Sequence, residues 1–297
     1  MAPSPATDQW SRVGGTLLQI RAESLAEDMA FIVEKGLAGV MCYEEQVALL
    51  VDYRLPELCV RDHLVFAPTS KSDLSNIALM THLTRLTLDC EGLRADLRCL
   101  DRLEKLEVVA GKHVLLPLQT PLLRRLRLHK FSPQPSDLTA LPGAPLLDCL
   151  WVGVGSLALL AGIERFCALD EIRLAWLPKL TRIGPLATLP KLRSLYIENC
   201  ANVGDIEALR GARTLEVLEI HNKSIASLAF LNDLPALRQV NVGKTNVLDG
   251  DLSPLLRIAS VNFVNRKHYS HTRQGKLVKN EYGHDQIEFG PMRLRRQ

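Results

Sequence analysis

A six-residue pattern, Leu-x-x-Leu-x-Leu with Ile or Val allowed, returns through most of this 297-residue chain. It reads Leu83-Leu86-Leu88, Leu103-Leu106-Val108, Leu123-Leu126-Leu128 and Leu147-Leu150-Val152. It continues as Leu169-Ile172-Leu174, Leu192-Leu195-Ile197, Leu215-Leu218-Ile220 and Leu237-Val240-Val242, with Ile258-Val261-Phe263 as a weaker last copy. Successive first positions lie 20, 20, 24, 22, 23, 23, 22 and 21 residues apart. Intervals held within so narrow a range make internal repetition the first constraint on the fold.

The fourth and sixth positions of the pattern are two residues apart, so in an extended segment their side chains share one face. Positions three, five and seven face the opposite way. One such strand cannot bury its leucines alone, whereas a stack of neighbours closes a common core over a parallel sheet. Each buried Leu then contributes about 1.5–3 kcal/mol. The return segments carry a second pattern in Ile183-x-x-Leu186, Ile206-x-x-Leu209 and Ile225-x-x-Leu228, read as one helical turn each. Pro190 and Pro235 precede the next strand, with Pro121 and Pro145 in similar places, where the chain has left the helix and not yet joined the ladder.

Residues 55–263 resemble the leucine-rich-repeat family, in its short class with units of about 22 residues. The resemblance implies an α/β solenoid of the bacterial stand-alone type, with a curved parallel sheet on the concave side and short helical or 3-10 turns on the convex side. The family's Asn/Cys ladder is met by Cys200, whereas Lys223 and Thr245 stand at that place in later copies. An earlier copy, Leu55-Leu58-Val60, is expected to begin the stack, separated from the next by a longer loop.

Solenoids need caps. Residues 1–54 are expected to form an N-terminal α/β cap, with residues 1–12 open to a second reading as a partner-binding arm. Ser24 to Glu27 reads as a capping box opening a helix through Lys35, stopped at Gly36, with Leu25, Met29, Ile32 and Val33 on one face. Leu37 to Cys42 and Gln46 to Val51 read as strands. Residues 264–297 are expected to form a C-terminal cap and basic tail, with Lys276 to Lys279 and Gln286 to Phe289 as a hairpin.

Composition narrows the function classes. The net charge of +3 comes from Lys/Arg and Asp/Glu interspersed through the chain, so no nucleic-acid or membrane partner is expected. The N-terminus lacks a basic-then-apolar leader, and no apolar run reaches the length of a membrane span, so a cytoplasmic location is expected. Seven irregularly spaced cysteines argue for buried small hydrophobes rather than disulfides or a metal site. No P-loop, HExxH or GxSxG is present, and Gly153-Val154-Gly155 reads as a tight turn rather than a dinucleotide fingerprint. His268 and His271, with His284 later, form the best candidate for metal or acid–base chemistry. The expected state is no metal, no cofactor and no catalysis.

The register predicts which side chains line the exposed strand face. Arg125, Arg127 and His129 next to Lys105 form a basic patch. Trp151, Arg173 and Tyr196 form a central ladder, with Trp151 leaning on Arg173 as the structural alternative. Glu198, Glu219 and His221 turn the later coils acidic. Trp, Tyr and Arg dominate binding energy at protein interfaces. The expectation is a monomeric, non-enzymatic protein-binding module acting through the concave face. By architectural resemblance it is read as a stoichiometric inhibitor, such as an immunity protein that neutralises a cognate toxin. A regulatory or scaffolding subunit of a cellular enzyme, like the short-repeat phosphatase regulators, is the alternative.

Overall fold

Every copy of the repeat pattern forms a strand, and every strand pairs in the register that its leucines dictate. The computed structural model describes residues 13–61, 73–90, 92, 94–109, 114–272, 275–279, 285–289 and 291–294. The chain divides into two compact units, Met1–Leu157 with Ala161–Leu169, and Ala158–Leu160 with Asp170–Gln297.

In the first unit the strands are β1 (Val13–Gly14), β2 (Leu17–Gln19), β3 (Gly39–Tyr43), β4 (Glu57–Arg61), β5 (Arg85–Asp89), β6 (Lys105–Val109), β7 (Arg125–His129) and β8 (Cys149–Gly153). They lie side by side in chain order, with β1 antiparallel to β2 and each later pair parallel. The parallel ladder therefore extends two strands ahead of the Leu55-Leu58-Val60 copy. In the second unit β9 (Glu171–Ala175), β10 (Ser194–Glu198), β11 (Val217–His221), β12 (Gln239–Asn241) and β13 (Ser260–Asn262) are likewise parallel neighbours.

Residues at the fourth and sixth positions meet their own kind on the next strand: Leu126 faces Leu150 and Leu128 faces Val152, while Leu195 lies between Ile172 and Leu218. All of these are buried. The return segments are short 3-10 turns such as Gly184–Thr188 and Ile206–Gly211. In the next coil Ser224–Ile225 instead pairs in parallel with Asn246–Val247, and the turn begins later, at Ala229. The sequence expectation placed Ile225 in that turn.

At the N-terminal end helix α1 spans Leu25–Lys35 and stops at Gly36, whose φ of 63° lets its N–H reach the carbonyls of Ile32 and Val33. Its start differs from the expected capping box. Buried Asp28 accepts hydrogen bonds from the Ser24 hydroxyl (3.2 Å) and the Arg21 N–H (3.0 Å), and Ser24 makes no side-chain cap bond. Val33, placed on the apolar face from sequence, is 80% exposed, and Phe31 is buried instead. Residues 46–51 are not a strand: Glu44–Leu50 is a 3-10 helix. The Gln46 side chain accepts the Tyr43 N–H (2.9 Å), and Val47 and Leu50, three residues apart, are buried on one side.

The eighth position of several copies has a left-handed backbone without glycine: Lys130 (φ 56°), Val154 (48°), Trp176 (56°) and Asn199 (51°). That conformation turns the N–H onto the end of the next coil, as from Lys130 to Gly153 O (2.9 Å) and from Trp176 to Glu198 O (2.8 Å). After Val154 the chain passes so close to the previous coil that a Cβ on Gly155 would lie 2.0 Å from Phe131 O. Gly155→Ala is therefore expected to lower stability by about 1–3 kcal/mol. A urea midpoint equal to that of the parent would refute the close approach.

Cys200 and Thr245 hold the polar ladder at the expected position, and in the copy between them it shifts by one residue. Asn222, one residue before Lys223, is buried and spans the coils: its Oδ1 accepts Cys200 N–H (2.9 Å) and its Nδ2 donates to Cys200 O (3.2 Å). The Asn222 N–H donates to Thr245 Oγ1 (3.1 Å), and Thr245 donates to Ile220 O (2.6 Å). Tyr269 ends the series, its hydroxyl accepting Val247 N–H (3.0 Å) and donating to Thr245 O (3.2 Å). Beyond it Gly275–Lys279 and Asp285–Phe289 form the expected antiparallel hairpin, and His271–Thr272 pairs with Arg293–Leu294.

Candidate interaction surface

Each unit presents one aromatic ring stacked with arginine on the solvent face of its sheet. In the first unit Trp151 of β8 stands opposite Arg127 of β7, and the Arg127 guanidinium lies over the indole at 4.1 Å. His129 stands opposite Gly153, which has no side chain to block it. The imidazole thus leans across and stacks on Trp151, 5.7 Å between centroids with the planes 6° apart. The tryptophan is half-buried between two flat cationic or polar groups.

The expected basic patch is interrupted by a carboxylate. Glu107 of β6 pairs with Lys105 (3.0 Å) and approaches Arg127 (3.9 Å). Arg125 is exposed and has no ion pair among the described residues. Beside these side chains lies a shallow recess of about 200 Å³ lined by Thr87, Asp89, Glu107, Val109, Arg127 and His129. Val109 stands opposite His129, and Asp89 lies on β5, two strands from it.

In the second unit Arg173 of β9 stands opposite Tyr196 of β10 and covers its ring at 4.2 Å. Arg173 also bonds Glu171 within its own strand. Arg127 thus stacks on Trp151 within the first unit, and Arg173 on Tyr196 within the second. In each stack the arginine and the ring are in-register neighbours on adjacent strands, about 5 Å apart, so the guanidinium reaches the ring directly. Burial pushes the Tyr196 phenol above its ordinary range, with Arg173 drawing it back. Glu219 is shared by His221 (3.4 Å) and Asn241 (3.2 Å), and Glu198 faces Lys244 at 3.8 Å. The later coils therefore mix these carboxylates with Lys244, Asn241 and His221 rather than presenting bare acidic groups.

Trp176 was missed by counting only positions three, five and seven. It occupies the eighth, where the left-handed backbone leaves it 56% exposed. An indole directly after Ile172-Arg173-Leu174-Ala175, where the next copy has Asn199, was the available signal. A large residue held at positive φ and exposed costs the fold stability and marks a position of functional interest.

The histidine candidates fall elsewhere. His268 Nε2 lies 2.9 Å from Val247 O, and His271 Nδ1 lies 2.9 Å from Ser270 Oγ. Ser270 Oγ accepts Leu252 N–H (2.9 Å) and lies 3.5 Å from Asp251 Oδ1. The Asp251–Ser270–His271 chain thus ties the last coil to its neighbour, and the aspartate does not orient the imidazole as a nucleophile's base requires. His284 lies outside the described residues. Among the described residues no group of three or more His, Cys, Asp or Glu is placed to hold a metal.

Cys42, Cys59, Cys90 and Cys200 are buried, Cys149 is half-buried, and Cys99 and Cys167 are exposed. Burial pushes the Cys42 thiol up to about 12 and the Cys200 thiol up to about 11, so both stay protonated core groups. Among the described residues no helix is long and apolar enough to cross a membrane.

No family model and no curated protein matches the chain. Solved structures do. The internalin InlF of Listeria monocytogenes superposes with a TM-score of 0.52 at 15% identity, over 78% of this chain and 70% of that one. Internalin C2 of the same bacterium gives 0.41 at 19% identity, over 71% of this chain and 81% of that one. A leucine-rich-repeat protein of Leptospira interrogans gives 0.38 at 13%, over 78% and 73%. The InlF match and the parallel ladder identify the fold as an α/β leucine-rich-repeat solenoid.

Proposed function

We propose that this leucine-rich-repeat solenoid is a non-catalytic protein-binding module that engages its partner through the exposed sheet face. The observation that carries the reading is the pair of arginine–aromatic stacks, Arg127 on Trp151 and Arg173 on Tyr196, held in place yet open to solvent. Large side chains fixed before binding lose little rotamer freedom when a partner covers them, so most of their contact energy remains available. Lys105, Arg125, His129, Glu198, Glu219 and His221 surround them with mixed charge, which selects partner and register more than it adds affinity.

The finer reading is a stoichiometric inhibitor, an immunity protein covering the active site of a cognate toxin. The test is affinity capture from source-cell lysate and from cells challenged by a competitor, with wild type and the Trp151→Ala/Arg173→Ala/Tyr196→Ala variant as baits. A partner held by wild type and lost by the folded variant is expected. Equal recovery by both baits would move the site off the sheet face. Equimolar loss of the partner's toxic activity supports inhibition; a cellular enzyme still active in the complex supports a regulatory or scaffolding subunit.

A further inference from the structure

We propose that the β7–β8 face of the first unit anchors an acidic segment of a partner protein, one carboxylate meeting the edge of the Arg127 guanidinium and a second meeting Arg125. The proposal rests on the sheet face being the protein-binding surface and adds the chemistry of what it binds.

Trp151 occupies the flat face of Arg127 at 4.1 Å, leaving the in-plane N–H groups to other partners. Its nearest carboxylate, Glu107, is 3.9 Å away, beyond hydrogen-bond length. An arginine so arranged presents a rigid fork matched to an incoming carboxylate. His129, parallel to the indole on the space left by Gly153, holds the ring under that fork. Arg125 lies two residues before Arg127 on the same strand face and is exposed without an ion pair among the described residues. The two cations are therefore spaced about 7 Å along the strand. Alternate residues of an extended peptide have that same spacing.

Charge complementarity favours a polypeptide over a nucleic acid. Arg85 and Lys105 on the same face are already matched by Glu57 (3.3 Å) and Glu107 (3.0 Å), leaving Arg125 and Arg127 as the underused cations. Asp89 and Glu107 line the adjoining recess. A phosphate backbone, charged at every residue, would run onto these carboxylates. An acidic peptide places charge only at alternate positions and offers backbone N–H groups to Asp89.

The test is fluorescence anisotropy on the full chain with a labelled peptide alternating Glu and Ser, its Lys–Ser counterpart and a short single-stranded DNA. The Glu–Ser peptide is expected to bind and the Lys–Ser peptide not to. Arg127→Leu and Arg125→Gln, each checked for a wild-type circular dichroism spectrum, are each expected to weaken binding about tenfold, the scale of one lost charge-assisted contact. Arg127→Lys should restore only part, because it returns the charge without the fork. Arg213→Gln, off this face, should leave binding unchanged. Binding equal in wild type and Arg127→Leu, absence of Glu–Ser binding, or tighter DNA binding with the same arginine dependence would each overturn the proposal. A natural partner captured by wild type and lost by the triple variant, without any acidic preference, would sink this chemistry and leave the sheet-face reading standing.

Discussion

Leu195→Asp is expected to leave the chain unfolded at room temperature. The side chain has no solvent exposure and lies in register between Ile172 and Leu218, within a stack of aliphatic groups that offers an ionised carboxylate neither donor nor water. The loss combines the missing aliphatic contacts, about 2–5 kcal/mol for a Leu truncated in a core, with the cost of burying an unpaired charged group. That sum is comparable with the 5–15 kcal/mol that holds a typical domain together. Ser194→Asp supplies the control, since Ser194 lies one residue away on the half-exposed face and a change there is worth about 0.5 kcal/mol or less. Urea unfolding followed by circular dichroism distinguishes them. A Leu195→Asp protein as stable as its parent, or a Ser194→Asp protein that unfolds, would refute the register, because a slip of one residue exchanges the two faces.

Tyr269→Ala is expected to cost about 3–5 kcal/mol, on the scale of a large aromatic removed from a packed interior. Tyr269 is 2% exposed, packs edge-on to His268 (4.7 Å) and tilted against Phe263 (6.4 Å), and closes the open end of the second unit's core. Its hydroxyl serves two backbone groups of the preceding coil, Val247 N–H and Thr245 O. Tyr269→Phe keeps the ring and strands those groups, so a smaller loss of about 1–3 kcal/mol is expected. Hydrogen exchange should show the loss concentrated in β12, β13 and the turn at Ser253–Arg257, since stability in a repeat array is set by nearest-neighbour interfaces. If Tyr269→Ala left both the urea midpoint and exchange in these segments unchanged, the residue would be no part of the cap.

The two variants differ in what made them foreseeable. Leu195 was legible because a two-residue alternation repeated at intervals of 20–24 residues has one way to bury its leucines. Tyr269 was not, because it follows the last copy of the pattern and its role depends on which coil the chain returns to.

The sequence alone thus determined the strands of the repeat copies, their parallel order, their buried fourth and sixth positions and the strand face from which Arg125, Arg127, Trp151, Arg173 and Tyr196 emerge. All of these follow from periodicity, which is local and summed over many copies. The tertiary structure decided what depends on neighbours. Glu44–Leu50 is a 3-10 helix, where a strand over Gln46–Val51 was expected, because Val47 and Leu50 bury together and Gln46 captures Tyr43 N–H. Asn222 took the ladder from Lys223 because only its amide, one residue earlier, meets Cys200 on both its N–H and carbonyl. Arg127 covers Trp151 because it stands directly opposite on the paired strand, and the missing side chain of Gly153 admits His129. Repetition fixes where each side chain leaves the backbone; which one it then touches is set by the next coil, through distances of a few ångströms that no spacing within a single copy encodes.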